Sequence, residues 1–274
     1  MCGSQVIWRL GAIGIALTAV TAVLSAPAFA ADLPARMVTK APAAPPAWNW
    51  SGFYVGANAG WGWGEKTGDR TGYQATAPGF AAVVGSIPTS YDVQANGLLG
   101  GGQVGYNWQS SMIVYGFEAD LQASNIHDNR TVLLPTGAIS APSISNAEDR
   151  LRWFGTVRAR LGVTPTERAL YYVTGGFAYG RVESRADVCF PLFNGVCDGF
   201  LSRSLKKTKI GWTIGGGAEY ALDNKWALKI EYLYLDLGSD TLRLTDPLFP
   251  ADFFDYRFDH TDHIIRIGLN YKSN

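Results

Sequence analysis

The sequence lacks several features, and each absence narrows the fold and the function. Its 23 basic and 23 acidic residues give a formal net charge of zero. A balanced charge argues against a nucleic-acid partner, because binding to a phosphate backbone relies on an excess of Lys and Arg. Beyond residue 30, no apolar run approaches the roughly 18 residues of a membrane-spanning helix. The glycine runs Gly100–Gly102 and Gly215–Gly217 lie within predicted strands and precede no helix, so they do not predict a phosphate-binding loop.

The first 30 residues have the pattern of an export signal. Arg9 supplies positive charge, Leu10 to Leu24 form an apolar stretch, and Ala28 to Ala30 provide a small-x-small cleavage site. A transmembrane helix is the alternative, but this stretch is shorter than the hydrocarbon core of a bilayer requires. We predict a cleaved signal peptide over residues 1–30 and a periplasmic tether, rich in Ala and Pro, over residues 31–49.

From residue 50 onwards, the dominant pattern is an alternation of apolar with polar or small residues, as in β-strands that face two environments. The alternation is clearest from Leu151 to Val163, where the odd positions are apolar or glycine and the even positions include three arginines. Eight such segments follow one another along the chain. An even number is expected for a bacterial barrel whose strands run up and down.

The connections between these segments alternate in length. The short ones are Gln109–Ser111, Thr164–Arg168 and Leu222–Lys225, and the long ones are residues 64–96, 125–148, 183–207 and 238–259. In outer-membrane barrels, short turns lie in the periplasm and long loops lie outside the cell. The sequence thus predicts an all-β fold over residues 50–274, an eight-stranded antiparallel up-and-down transmembrane β-barrel with short periplasmic turns and four long extracellular loops.

A soluble β-sandwich or lipocalin-like barrel is the alternative fold, with the apolar face pointing inwards. Its water-facing surface would then be the face that is rich in glycine and small residues, which suits a crowded barrel interior better. Four long loops at one end are also unusual in a compact soluble domain. Both features favour the membrane barrel.

Nine charged residues occupy the face that points away from lipid in the predicted barrel: Glu118, Asp120, Arg152, Arg158, Arg160, Glu219, Lys229, Glu231 and Arg266. Because an isolated charge is costly in a low-dielectric interior, we expect them to pair as a salt-bridge network that fills the lumen. The alternative is a narrow, ion-selective pathway, although an eight-stranded barrel encloses little more than its own side chains.

Two cysteines, Cys189 and Cys197, lie in the third long connection of a chain predicted to be exported, where oxidation is the default. We predict a disulfide between them that rigidifies the loop, with free thiols or a metal site as the alternatives. No histidine or further cysteine in that loop completes tetrahedral metal ligation. The remaining cysteine, Cys2, belongs to the predicted signal peptide.

The histidines are His127, His260 and His263, the last two beside Asp259 and Asp262 at the outer end of the eighth strand. A hydrolase or a transition-metal site at the barrel rim would use histidine with carboxylates. The pattern is unspecific, and a polar strand end in the headgroup zone explains it more simply, so we expect no enzyme, metal or cofactor. Aromatic residues in the loops fit either ligand contact or packing onto the barrel mouth: Phe249, Phe253, Phe254 and Tyr256.

Several segments resemble a known family. Trp50–Gly56 opens the first strand and Ile265–Tyr271 closes the last, while Trp153–Gly162 and Gly215–Tyr220 match the family's internal pattern. These segments resemble the small porin-family outer-membrane β-barrel proteins, or surface antigens, of alphaproteobacteria, which share the barrel form of OmpA and OmpX. Family members commonly end on an aromatic residue that assists assembly, whereas this chain continues through Lys272–Asn274. Tyr271 is expected to take that role and so to support efficient insertion.

The resemblance implies a location in the bacterial outer membrane and insertion by the outer-membrane assembly machinery. The expected partners are outer-membrane lipid and lipopolysaccharide, host or environmental ligands at the loops, and no nucleic acid. We expect a non-enzymatic surface barrel that contributes to envelope integrity. A small diffusion channel and a lipid-modifying enzyme at the rim are the alternative functions.

Overall fold

Eight long β-strands build the protein, as described by a computed structural model over residues 48–76, 89–134, 143–189, 201–245 and 250–273. The strands are β1 (Gly52–Gln74), β2 (Ser90–Ser110), β3 (Ile113–Leu134), β4 (Ser143–Thr166), β5 (Ala169–Cys189), β6 (Leu201–Ala221), β7 (Trp226–Thr245) and β8 (Phe253–Lys272). Each strand pairs antiparallel with the next, and β1 pairs with β8, so the sheet closes. The predicted eight-stranded antiparallel barrel is confirmed. None of the described segments is a helix long and apolar enough to cross a lipid bilayer.

An apolar belt surrounds the half of the barrel that lies nearer the short turns. Exposed large apolar side chains occupy alternate positions of every strand, from Phe53 to Trp63 on β1 and from Ile210 to Tyr220 on β6. These segments span about 11 residues, which is the length that a tilted transmembrane strand needs. Exposed aromatic rings mark both borders of the belt, as in interfacial girdles: Trp108, Tyr115 and Trp226 at the turn end, and Trp63, Trp212 and Tyr179 at the loop end.

The strands continue well past this belt, so the four long connections are shorter than the sequence predicted. β1 reaches Gln74 and β2 begins at Ser90, so most of the connection expected at residues 64–96 is paired strand. The same is true of the other three long connections, at residues 125–148, 183–207 and 238–259. The strands have 20 to 24 residues, about twice the length needed to cross the hydrocarbon core. The predicted bounds were too wide because the outer face of the strands turns polar beyond the belt while backbone pairing persists.

The short turns at the other end of the barrel are as predicted. In the turn between β6 and β7, the Asp223 carboxylate accepts hydrogen bonds from the backbone amides of Lys225 at 2.7 Å and Trp226 at 2.8 Å. These two backbone bonds hold the pKa of Asp223 below its ordinary value. In the turn between β2 and β3, Ser111 has a φ of 55°. Asp and Ser are typical of such tight connections because their side chains bond the local backbone.

Glycines on the inner face make room for large rings on neighbouring strands. Tyr172 on β5 lies over Gly217 on β6, where a Cβ atom would come within 2.7 Å of the tyrosine hydroxyl oxygen. The second glycine run of the sequence therefore serves close packing inside the barrel, as its position within a strand indicated.

Beyond the belt, backbone pairing ends early at two boundaries of the barrel. The ladder between β2 and β3 ends at Asn96 opposite His127. The ladder between β6 and β7 runs only as far as Trp212 opposite Asp236 in the described residues. β7 changes register there, and Gly238 adopts a φ of 73°. A side chain bridges the boundary instead, since the Lys209 ammonium donates to the Ser239 carbonyl at 2.7 Å. We call this boundary, beyond Trp212 and Asp236, the β6–β7 seam.

Candidate functional site

The barrel interior at the level of the belt holds eight buried charged side chains. Four are carboxylates and four are cations, so their formal charges cancel (4 − 4 = 0): Glu118, Asp120, Glu219, Glu231, Arg158, Arg160, Lys229 and Arg266. Exact balance matters because an unmatched ion in a low-dielectric interior is strongly destabilising. We call this set the interior network.

Glu118 on β3 lies at the centre of the network. Its two carboxylate oxygens accept hydrogen bonds from the Lys229 ammonium at 2.6 and 2.8 Å, and one also accepts from Arg158 at 2.5 Å. The Tyr54 hydroxyl donates to the same carboxylate at 2.7 Å. Glu118 thereby connects side chains of β1, β4 and β7 across the lumen.

Two arginines, Arg158 and Arg266, connect two further carboxylates, Asp120 and Glu231. Arg266 on β8 lies 2.9 Å from Asp120 and 2.5 Å from Glu231, and Arg158 lies 2.9 Å from Asp120 and 3.2 Å from Glu231. A planar guanidinium can serve two acids at once, which suits it to such a crowded site. The network therefore ties opposite walls of the barrel together.

Apolar layers close the interior on both sides of the network. On the turn side, Trp50, Val114, Leu170, Tyr172, Ala221 and Ala227 form one cluster, against which Trp48 packs. On the loop side, a second cluster includes Leu99, Ile126, Leu151, Phe154, Leu233 and Ile264. An aqueous path along the axis would have to cross both layers. Trp48, near the end of the predicted tether, packs its ring against Trp50 with centroids 5.4 Å apart.

Arg152 is the predicted lumen residue that the structure places elsewhere. Its side chain is 48% exposed on the outer face and lies 3.1 Å from Glu183, whereas the other eight predicted residues point inwards. The pairing of β4 with β5 shifts register between Leu151 and Trp153. A bulge of this kind puts two successive residues on the same side of the sheet, so the period-two prediction for Arg152 and Leu151 was wrong.

Sequence reasoning missed the uncharged polar partners of the network. Tyr54 and Tyr172 each donate to a buried carboxylate, Tyr172 to Glu231 at 2.7 Å, and the Arg160 guanidinium lies 3.9 Å from the centre of the Tyr172 ring. Thr156 donates to Asp120 at 2.8 Å. Their positions in the alternation could have identified them, because each lies on the inward face of its strand.

His260 and His263 point to opposite faces of β8, so they do not share a rim site. His260 is fully buried, with ring nitrogens 3.6 Å from carboxylate oxygens of Asp149 and Asp240. His263 faces outwards and stacks on Trp63 with ring centroids 5.7 Å apart. The odd spacing of the two positions along an extended strand explains the separation. Within the described ranges, no group of three or more His, Cys, Asp or Glu side chains could hold a metal ion.

Asp240 lies in a second buried polar cluster, on the loop side of the apolar layer and beyond the belt. A hydrogen bond involving His260 lowers the pKa of Asp240 far below its ordinary value, and a hydrogen bond from Lys209 adds to this effect against the opposing effect of burial. The Lys209 ammonium lies 2.9 Å from the Asp240 carboxylate. Across the barrel, the Ser184 hydroxyl donates to Asp149 at 2.7 Å.

Several other predicted positions lie outside the part of the chain that the structure describes. Cys189 ends β5, and Cys197 lies outside the part of the chain that the structure describes, so the disulfide stays a prediction. Residues 1–47, which hold the signal peptide and most of the tether, also lie outside it, as does Phe249.

The described loop aromatics and His127 belong to the barrel wall. Phe254 and Tyr256 are fully buried inside the extramembrane half of the barrel. Phe253 lies on the outer face, where the Arg243 guanidinium is 3.8 Å from the centre of its ring. His127 is exposed on β3, with its ring 2.9 Å from the Asn125 carbonyl.

Comparison with known proteins also indicates an outer-membrane β-barrel. Residues 16–272 match the family model described as outer membrane protein beta-barrel domain. The chain is 39% identical to a 31 kDa outer-membrane immunogenic protein of Brucella melitensis over 94% of this chain and 98% of the relative. It is 28% identical to a 22 kDa outer membrane protein of Rhizobium leguminosarum, over 83% of this chain and 80% of that protein. A 25 kDa outer-membrane immunogenic protein of Brucella abortus is 27% identical over 90% of this chain and 92% of that relative.

The lipid-facing belt and the closed sheet are the structure expected of a protein with these outer-membrane relatives. The family resemblance and the outer-membrane location expected from the sequence are both confirmed. The chain belongs to the outer-membrane β-barrel family and is a surface protein of the bacterial outer membrane.

Proposed function

We propose that the protein is a non-enzymatic, sealed surface barrel that contributes to the integrity of the outer membrane. The interior network carries this proposal, because its charges balance and apolar layers close it on both sides. A neutral, densely paired interior stiffens the barrel wall and leaves little room for solute.

The extramembrane half of the barrel presents the protein to the exterior. Its outer face carries ion pairs such as Arg243 with Asp255, and the strands at its far end lead into the longer connections. Two of the relatives are named immunogenic proteins, which supports the exposure of this end to the surroundings. Insertion by the assembly machinery and contact with host or environmental ligands at the loops belong to the same proposal.

The conductance of the purified, refolded protein in a planar bilayer tests the sealed interior. We expect no discrete openings from a barrel whose heat-dependent gel mobility shows that it is folded. Replacing Arg158 and Arg160 by glutamine should lower thermal stability and leave conductance absent. Discrete, salt-dependent openings in the wild type would contradict the proposal and favour a small diffusion channel.

A deletion strain tests the contribution to envelope integrity. We expect greater sensitivity to detergents and to large apolar antibiotics, with recovery when the wild-type chain is restored. Unchanged sensitivity would remove the envelope role even if the purified barrel is silent in the conductance measurement.

A further inference from the structure

Three cations share one carboxylate on the outer face of β4, β5 and β6. Glu183 lies 3.1 Å from Arg152, 3.6 Å from Arg181 and 3.9 Å from Lys206. The three cationic side chains are 48%, 46% and 57% exposed, respectively. One negative and three positive charges leave an excess of two positive charges (3 − 1 = +2). We call these four residues the rim patch.

The fold assembles the rim patch from three strands. Glu183 on β5 pairs directly with Lys206 on β6, and Arg181 lies two residues from Glu183 on the same outer face. Arg152 joins them because the β4 bulge turns it outwards. A lumen position for Arg152, as the unbroken alternation predicted, would have left the patch incomplete.

The charge excess is larger in this patch than in the other described ion pairs of the extramembrane half. Asp240 at the β6–β7 seam faces two cations, Lys207 at 3.6 Å and Lys209 at 2.9 Å. Four outward pairs match one cation with one acid: Arg150–Glu148, Arg185–Asp187, Arg243–Asp255 and Arg257–Asp259. Within the patch, burial opposes the charge of Glu183, yet the hydrogen bond from Arg152 and the charges of the three cations lower its pKa. Glu183 therefore stays ionised and offsets one of the three positive charges, while two remain unmatched.

The rim patch lies at the border of the lipid-facing belt. Trp153 is the next residue after Arg152, and its ring packs edge-to-face on Tyr179 with centroids 6.1 Å apart. Aromatic residues of this kind occupy the headgroup level of a membrane. Because this border is on the loop side, the patch faces the headgroups of the outer leaflet. A groove of about 320 Å³ beside it is lined by Arg152, Glu183 and Lys206, among others.

We propose that the rim patch binds a phosphate group of a phosphorylated glycolipid in the outer leaflet. Arginine forks and a lysine ammonium are the usual phosphate ligands, and a phosphate would match the two unpaired positive charges. A headgroup in the adjacent leaflet reaches the patch while its acyl chains lie along the apolar belt. The proposal depends on the outer-membrane location and is independent of whether the interior is sealed.

Binding of a purified lipid A-type phosphoglycolipid to the folded, full-length chain in neutral detergent tests the proposal, with native mass spectrometry as the readout. The variant R152Q/R181Q/K206Q should bind about tenfold or more weakly than the wild type. The charge-matched control R243Q/R257Q/K225Q removes three exposed cations elsewhere and should stay within about twofold of the wild type. The dephosphorylated glycolipid should bind the wild type and the triple patch variant equally weakly.

Two further variants keep the test decisive if the triple variant folds poorly, as judged by heat-dependent gel mobility. R152K/R181K retains the charges and should retain most of the binding, whereas E183Q adds one net positive charge and should tighten it. Equal losses in the patch and control variants, or weaker binding by E183Q, would overturn the proposal. Inorganic phosphate or a soluble sulfated polysaccharide that binds the patch as tightly as the glycolipid does would show that the lipid assignment is wrong.

Discussion

At the scale of single residues, the interior network depends on matched charges. Lys229 is fully buried between Glu118, at 2.6 Å, and Glu231, at 3.2 Å. The substitution K229M leaves four acids against three bases, so we expect the free energy of unfolding to fall by about 3–5 kcal/mol. Urea unfolding of the refolded protein in lipid vesicles measures this. The control K225M, in an exposed turn, should cost no more than about 0.5 kcal/mol, and equal costs for both variants would contradict a strongly coupled network.

Asp240 gives the extramembrane half a dependence on pH. Its pKa in the folded protein lies below the ordinary value of 3.8, so the ionised form stabilises the fold above that pH and the contribution is lost as the pH falls below it. We expect D240N to lower the Tm by a few degrees near neutral pH, with a difference from the wild type that shrinks as the pH falls below 3.8 towards the folded-state pKa of Asp240. Thermal melting over this range checks it, with D259N at an exposed position as the control. A Tm difference that grew on acidification would have the wrong sign.

At the scale of strands, the β6–β7 seam is a boundary where backbone pairing stops early, as it also does between β2 and β3. Beyond Trp212 and Asp236, the described residues of β6 pair with β5 and those of β7 pair with β8, while Lys209 bridges the gap through its side chain. Backbone amides that face the seam lack a strand partner and should exchange with solvent faster than fully paired amides.

Hydrogen–deuterium exchange measured by NMR in micelles tests this seam. We expect amides that face it, within residues 203–209 of β6 and 239–243 of β7, to exchange at least about tenfold faster than paired amides at the same height in β4 and β5. The β4–β5 ladder, which is continuous there from Ile144 opposite Cys189 to Leu151 opposite Val182, provides the internal control. Equal protection on both boundaries would show that the seam is closed in solution.

The β4 bulge is the second strand-scale feature with consequences. It moves Leu151 into the apolar layer on the loop side and turns Arg152 out to the rim patch. Nothing in the composition of residues 150–153 marks it, because they simply alternate charged with apolar side chains. The pairing partners on β3 and β5 decide the register, and they are far away in sequence.

At the scale of the whole molecule, the barrel reverses its polarity along its axis. In the belt half, apolar side chains such as Ile265 and Ile267 on β8 face lipid and Arg266 faces the lumen. In the extramembrane half, Phe254 and Phe258 on the same strand are buried inside. The outer half thus follows the pattern of a soluble barrel, which was the alternative fold considered from the sequence. Each half is arranged to suit its own solvent, lipid around one and water around the other.

The sequence by itself determined the barrel class, the short turns and the inward face of most strands. Period-two alternation is a local property, and it records which side chains meet lipid as long as a strand is uninterrupted. The positions of Glu118, Arg158 and Lys229 within this alternation were therefore enough to place them in the lumen.

Only the tertiary structure decided the length of the strands beyond the belt, the outward turn of Arg152 and the early end of the β6–β7 ladder. These features depend on hydrogen bonds between segments that are far apart in sequence. A bulge shifts the alternation by one residue, and water around the outer half removes the apolar pattern that marks a membrane strand. The rim patch follows from both effects, since it combines residues of three strands at the level where lipid gives way to water.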